Sequence, residues 1–205
     1  PTALDAGNVQ THSSGIVTPF DVFFGGVFEP SIGTLLGNVS SCDDCTEEVT
    51  LSFPFAFLNE PATTSVFVSS NGFVSIGGDN GDGCCTGDPS QLVNDPFPRV
   101  AGLWSDLFTA DYGGPANVFF NDFGNRAVFT WQNVDTCCTQ GADITFQIQL
   151  FDFGGIQITY NGVNFGGGGA GNRTYLGGIS PGGGVSDPGE IDLSATIPFS
   201  SGAQS

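Results

Sequence analysis

Apolar and polar residues alternate with a period of two along most of this chain, the pattern of strands that bury one face. In EVTLSFPFAFLN, Val49, Leu51, Phe53, Phe55 and Phe57 fall on one face, and Thr50, Ser52, Pro54 and Ala56 on the other. Pro54 has no N–H to give to a ladder, so this strand belongs at a sheet edge or a bulge. TSVFVSSNGFVSIGG predicts two short strands around the turn pair Asn71-Gly72. RVAGLWSDLF is a further apolar strand, and ANVFFNDFGNRAVFTWQNV reads as a hairpin turning at residues 121–125. In DITFQIQLFD, Ile144, Phe146, Ile148 and Leu150 share one face and Thr145, Gln147 and Gln149 the other. FGG then turns the chain into IQITYNGV, and RTYLGGIS is another strand. IDLSATIPF aligns Ile191, Leu193, Ala195, Ile197 and Phe199. About nine strands result, with no convincing helical repeat, which predicts an all-β, mostly antiparallel, jelly-roll-like β-sandwich.

Residues 1–30 differ from the rest and form an extension ahead of a sandwich domain over 31–205. A polar leader, PTALDAGNVQTHSSG, precedes the apolar run IVTPFDVFFGGVF, interrupted by Pro19 and closed by Gly25-Gly26. Two readings stand. The run is an N-terminal strand of the same sandwich, or it is a donor strand that completes a neighbouring subunit by adding to an open sheet edge. In the second reading Ile16, Val17, Phe20, Val22, Phe23 and Phe24 are the subunit contacts. The C-terminal alternating strand is a weaker candidate for the same exchange.

The chain's 205 residues suit one domain with a full core, or one domain plus an extension. Only three residues are cationic, Arg99, Arg126 and Arg173, against 21 Asp and Glu, for a net charge of -18. Such a surface repels phosphate backbones and anionic lipid, which argues against nucleic acid as a partner and favours divalent cations, and self-association at high salt or low pH. No apolar run is long enough to span a bilayer. The absence of an initiator Met ahead of Pro1 is read as a processed chain whose signal peptide has been removed.

Six cysteines, Cys42 and Cys45, Cys84 and Cys85, Cys137 and Cys138, sit in loops that bound strands. Their even number favours three intramolecular disulfides, each adjacent pair sending its sulfurs to different partners. Bridges between subunits, or a metal site at the CDDC spacing, are the alternatives. In GDNGDGCCTGD, Asp79, Asn80, Asp82 and Asp88 lie on a Gly-bent loop, a candidate Ca²⁺ site to which Asp43 and Asp44 add ligands if the two loops meet. The other reading is a solvated acidic turn. Asp106 and Asp111 are read as turn or cap residues, and Trp104 and Trp131 as core residues, with an exposed Trp as a sugar platform the alternative. His12, the single histidine, lies in the polar leader, so a Ser-His-Asp arrangement is not expected. NFGGGGAGN lacks the Lys and the following helix of a phosphate loop.

Taken in order, SSCDDCTEEVTLSFPFAFLN, TSVFVSSNGFVSIGG, PRVAGLWSDLF, RAVFTWQNV, ITFQIQLFDFGGIQITYNGV and LGGISPG resemble the secreted β-sandwich domains of prokaryotic surface proteins related to the nidogen-type extracellular domain. The resemblance spans about residues 38–181. It implies an extracellular, non-catalytic module of adhesion, matrix or surface assemblies. The cysteine pairs and the N-terminal apolar arm depart from that pattern. The expected function is therefore a non-enzymatic, self-associating structural subunit of an extracellular filament or cell-surface assembly. The alternative is a monomeric adhesin-like module that holds glycan or a surface protein with the help of Ca²⁺.

Overall fold

Two β-sheets pack face to face in the computed structural model, which describes residues 10–11, 21–24, 27–57, 61–81, 83–84, 87–109, 117–137, 139–164, 174–184 and 190–192. The elements are β1 (Gln10–Thr11), β2 (Asp21–Phe24), β3 (Thr34–Leu35), β4 (Thr46–Phe55), β5 (Thr63–Ser69), β6 (Phe73–Ile76), α1 (Pro89–Asn94), β7 (Arg99–Trp104), β8 (Leu107–Phe108), β9 (Val118–Asp122), β10 (Arg126–Thr136), β11 (Thr139–Phe151), β12 (Ile156–Asn164), β13 (Leu176–Ser180) and β14 (Glu190–Asp192). The first sheet has the order β1-β2-β12-β11-β10-β9-β3, with β8 also on β10; the second has the order β14-β13-β7-β6-β5-β4. The chain is an all-β sandwich. The extra strands beyond the nine expected are mostly two to four residues long, too short for a periodicity to register.

The period-two runs place the core. On β4, Val49, Leu51, Phe53 and Phe55 are buried while Thr50, Ser52 and Pro54 face out. β4 lies at the margin of its sheet, where Pro54 breaks no ladder. Opposite, β10 and β11 contribute Phe129, Trp131, Phe146 and Ile148. Trp131 lies flat on Phe146, centroids 4.8 Å apart, and its indole N–H donates to the Ser69 carbonyl of the other sheet at 3.1 Å. Tyr160 also crosses the gap, donating its hydroxyl to the Gly102 carbonyl at 2.7 Å.

A bulge in β7 serves two cores at once. The N–H groups of Gly102 and Leu103 both reach the Gly72 carbonyl, at 3.1 and 3.3 Å. Two residues thus oppose one, which resets the alternation. Val100 and Leu103 face the main core. Ala101 and Trp104 face outward, where Phe73, Leu92 and Leu176 close a second cluster with them. Leu92 comes from α1, a helix the periodicity did not predict. Its signals are local: Asp88 caps it, accepting from the Ser90 and Gln91 N–H groups, and Pro89 stands at its start. Under this cover the Arg99 guanidinium lies between Phe73 and Trp104, 4.2 and 4.3 Å from the ring centroids, and pairs with Asp95 at the end of α1.

On the polar face of β11, Gln147 and Gln149 are fully buried. The chain after β2 lies across that face as a strap. Gln149 and Gln157 both donate to the Val27 carbonyl at 3.2 Å. Gln147 and the Glu29 backbone exchange two hydrogen bonds of 2.8 Å, a side-chain amide standing in for a neighbouring peptide. Arg126 pairs with the Glu29 carboxylate at 2.6 Å, and Asn121 donates to the Ser31 carbonyl at 2.7 Å. The strap ends as β3, which pairs with β9 at the far margin. Its backbone groups need partners once water is excluded, and glutamines on alternate positions of β11 supply them.

Gly102 has no room for a side chain: an added Cβ would stand 2.7 Å from Phe146 and 2.9 Å from Ile148 of the opposite sheet. Gly102→Val should therefore destabilise the domain by about 1–3 kcal/mol through overpacking. Urea unfolding will show it as a lower midpoint at unchanged slope.

Candidate functional site

Two regions gather the residues singled out in the sequence. The first is the end of the sandwich where β4 begins and β5, β7 and β10 finish. Ser69, Ser70 and Asn71 form its turn, and all three are fully buried. The Asn71 side chain donates to the Asp44 carboxylate at 2.8 Å and accepts from the Leu107 N–H at 2.8 Å. Its carbonyl accepts from the Ser105 N–H at 3.3 Å. Ser70 binds Cys45 in both directions: Cys45 N–H to the Ser70 hydroxyl at 3.1 Å, and Ser70 N–H to the Cys45 carbonyl at 2.9 Å. Gly72 completes the turn at φ +88°, with the Leu103 carbonyl 2.4 Å from where a Cβ would be.

The Cys42–Asp44 loop meets this turn. Cys42 and Cys45 are joined by a disulfide. Cys84 and Cys137 each take part in a disulfide as well, while Cys85 and Cys138 lie outside the described residues. The Cys137 N–H donates to the Asp106 carbonyl at 2.7 Å, which brings the third cysteine loop to the same end.

Carboxylate oxygens of Asp43, Asp44 and Asp106 lie within 4.8 Å of one another. Asp106 is only 6% exposed. Burial first, then the charges of Asp44 and Asp106, push the Asp43 carboxyl above its ordinary value. Three converging carboxylates offer hard oxygen ligands of the kind Ca²⁺ takes, though fewer than its usual six to eight.

The rest of the expected calcium set does not join them. Asp79 accepts from the Thr46 hydroxyl at 2.9 Å and from the Gly81 N–H at 2.8 Å, folding its own loop. Asn80 makes a two-way bond with the Phe97 backbone. Asp88 caps α1. Asp82 lies outside the described residues. The third acid beside Asp43 and Asp44 is instead Asp106, read from sequence as a turn residue. Its partners lie 62 and 63 residues earlier in the chain, a proximity no local spacing reveals. Trp104 and Trp131 are both fully buried, so neither offers a sugar platform. Among the described residues the exposed aromatics are Phe123 and Phe153, near the opposite tip, and Phe97 on the second sheet's cover.

The second region is the first sheet's margin. Asp21–Phe24 pairs in parallel with β12, Val22 opposite Ile156, Phe23 opposite Gln157 and Phe24 opposite Ile158. Gln10–Thr11 pairs in turn with Asp21–Val22. Ile16, Val17 and Phe20 lie outside the described residues. Within one chain, then, the N-terminal run contributes a strand to its own sheet.

Sheets, bridges and the polar end network together define a disulfide-bonded, all-β sandwich domain. A family model described as NIDO related matches residues 24–194. The chain belongs to this nidogen-related family. No curated protein and no solved structure matches it significantly. Membership suggests an extracellular domain. Among the described residues no helix is long and apolar enough to cross a membrane.

The raised Asp43 value has a sign that can be measured. An acid whose folded value lies above its unfolded value, about 3.9, binds more protons when folded. Its contribution is fully present below that unfolded value and is lost as pH rises through the folded one. Asp43→Asn should therefore raise the melting temperature at pH 7 and leave it unchanged near pH 3. Equal effects at both pH values would contradict the raised Asp43 value and the desolvation and repulsion assigned to it.

Proposed function

We propose that this chain is a structural subunit of an extracellular filament or cell-surface assembly, and that subunits associate by strand addition. One observation carries the reading. Asp21–Phe24 forms a parallel pairing at the sheet margin, while every other pairing among the described residues is antiparallel. Immediately after it, residues 27–31 are tied across the sheet by Gln147, Gln149, Gln157, Arg126 and Asn121. Among the described residues this strand meets the body of the domain only along β12, with Gln10–Thr11 on its outer side, and such a strand on a firmly anchored tether suits exchange between identical subunits. The family match begins at Phe24, so most of this strand precedes the region the family model covers. The acidic surface and the disulfides suit an oxidising, cation-rich exterior.

A second reading, a monomeric adhesin-like module that binds a glycan or a surface protein with the help of Ca²⁺, is favoured by the convergence of Asp43, Asp44 and Asp106. It predicts a stable monomer whose melting temperature rises with millimolar Ca²⁺, a rise lost in Asp43→Asn. A flat response in the native chain counts against it.

For the first reading, deletion of residues 1–26 should abolish polymers in negative-stain micrographs while the monomer keeps its β-sheet circular dichroism. Polymers that persist without that segment would remove strand addition from the account.

A further inference from the structure

We infer that Asp122 guards the edge of β4, and that the edge it covers fits the β4 strand of a second copy. The inference is independent of the strand-addition reading, which concerns the first sheet. β4 ends the second sheet, and among the described residues it is the longest margin strand, with ten residues against two in β1, two in β3 and three in β14. A long open edge is a template for any extended chain, and proteins shield such edges with charges, prolines and covering segments.

The bonds at its two ends show which way the peptides of β4 face. Cys45 turns both its N–H and its carbonyl to Ser70, at the end of β5. Peptide direction alternates along an antiparallel strand, so Thr46, Glu48 and Thr50 turn theirs outward. The Thr46 carbonyl indeed accepts from the Asn38 side-chain amide at 3.1 Å. β4 departs from β5 between Thr50 and Phe55, yet the Ser52 N–H still leaves the sheet, donating to Asp122 at 2.7 Å. Pro54 has no N–H to offer. The outward backbone groups of Glu48 and Thr50 have no partner among the described residues.

Asp122 reaches this edge from the end of β9, in the other sheet. One carboxylate oxygen takes the Ser52 N–H; the other takes the Ser52 hydroxyl and the Gly124 N–H, each at 2.7 Å. Burial disfavours its charge, but the bonds from Ser52 and Gly124 outweigh it and hold the carboxyl below its ordinary value, so the guard is an anion at neutral pH. A carboxylate thus stands where a neighbouring strand's carbonyl would stand. Between it and Asn38 only Glu48 to Thr50 stay open, too short a stretch for a lasting strand pair. Without the guard the open edge extends to Ser52 and becomes self-complementary. An antiparallel copy centred on Thr50 sets Glu48 opposite Ser52, so like charges do not meet across the pair, and Thr50 meets its own counterpart. Such a two-fold contact closes on itself. That register is what selects a second copy as the occupant.

Sedimentation of the full chain and its variants at equal concentration tests this. Asp122→Ala should add a species of twice the mass of the native one. Asp122→Asn, whose amide oxygen still accepts from Ser52, should sediment as the native chain does. Adding Thr50→Pro to Asp122→Ala should remove the new species, because the proline deletes an outward N–H and no ladder bond. Hydrogen exchange supplies a readout that needs no variant. In the native chain the Ser52 amide should exchange about tenfold or more slowly than the Thr50 amide. In the Asp122→Ala pair the amides of Glu48, Thr50 and Ser52 should all be slow. Equal exchange at Ser52 and Thr50 in the native chain would overturn the guard. An Asp122→Ala chain with native circular dichroism that sediments as the native chain does, or whose association survives Thr50→Pro, would overturn β4 of a second copy as the partner.

Discussion

The side-chain amide of Asn71 ties together the parts of the chain that arrive at one end of the sandwich. Its two ends reach Asp44 in the cysteine loop and the Leu107 N–H at the start of β8, while its own carbonyl receives Ser105. Asn71 and its bond to Leu107 are fully buried, where an unmade hydrogen bond costs about 1–3 kcal/mol, and the bond to Asp44 is half-buried. Asn71 therefore sets where Asp106, the disulfide loop and the end of β7 stand. Gly72, next in line, has its carbonyl at the bulge that lets β7 face two cores. The SSNG and AGLWSDL stretches, separate in sequence, act as one device: the first supplies the hydrogen-bonding groups, the second the backbone they hold.

The other margin of the molecule follows a different logic. Ladder hydrogen bonds hold most strands, but residues 27–31 cross the first sheet and find side chains instead of a ladder. Glutamine suits this role because its amide presents the same donor and acceptor as a peptide. The strap fixes the point at which the N-terminal strand leaves the body of the domain. The net charge of -18 opposes nonspecific association between copies.

Much of the sandwich was legible from alternation. The buried face of β4, the Asn71-Gly72 turn, the β9–β10 hairpin and the core face of β11 follow from local side-chain order. The margin position of β4 follows from one proline. The helix α1 escaped the periodicity because six residues make less than two turns, although Asp88-Pro89 marked its start. The burial of the glutamines was not legible because alternation reports which residues share a side, not what covers that side. The acid cluster was half visible: Asp43 and Asp44 were named, but Asp106 joined them only through the fold, and the GDNGD loop turned to its own hydrogen bonds. The cysteine loops were legible as disulfide-bearing, and the Cys42–Cys45 bridge joins the closest non-adjacent pair.

The proposed function requires that copies of this chain join through strands and not through sulfur. The most direct measurement combines negative-stain microscopy with a denaturing gel run without reductant on the same purified, unreduced material. The account predicts extended polymers in the micrographs that collapse to a single monomer band in detergent, with a mass short of the hydrogens of its bridged thiols. Monomers alone at every concentration, or polymers that survive detergent and disperse only on reduction, would contradict it.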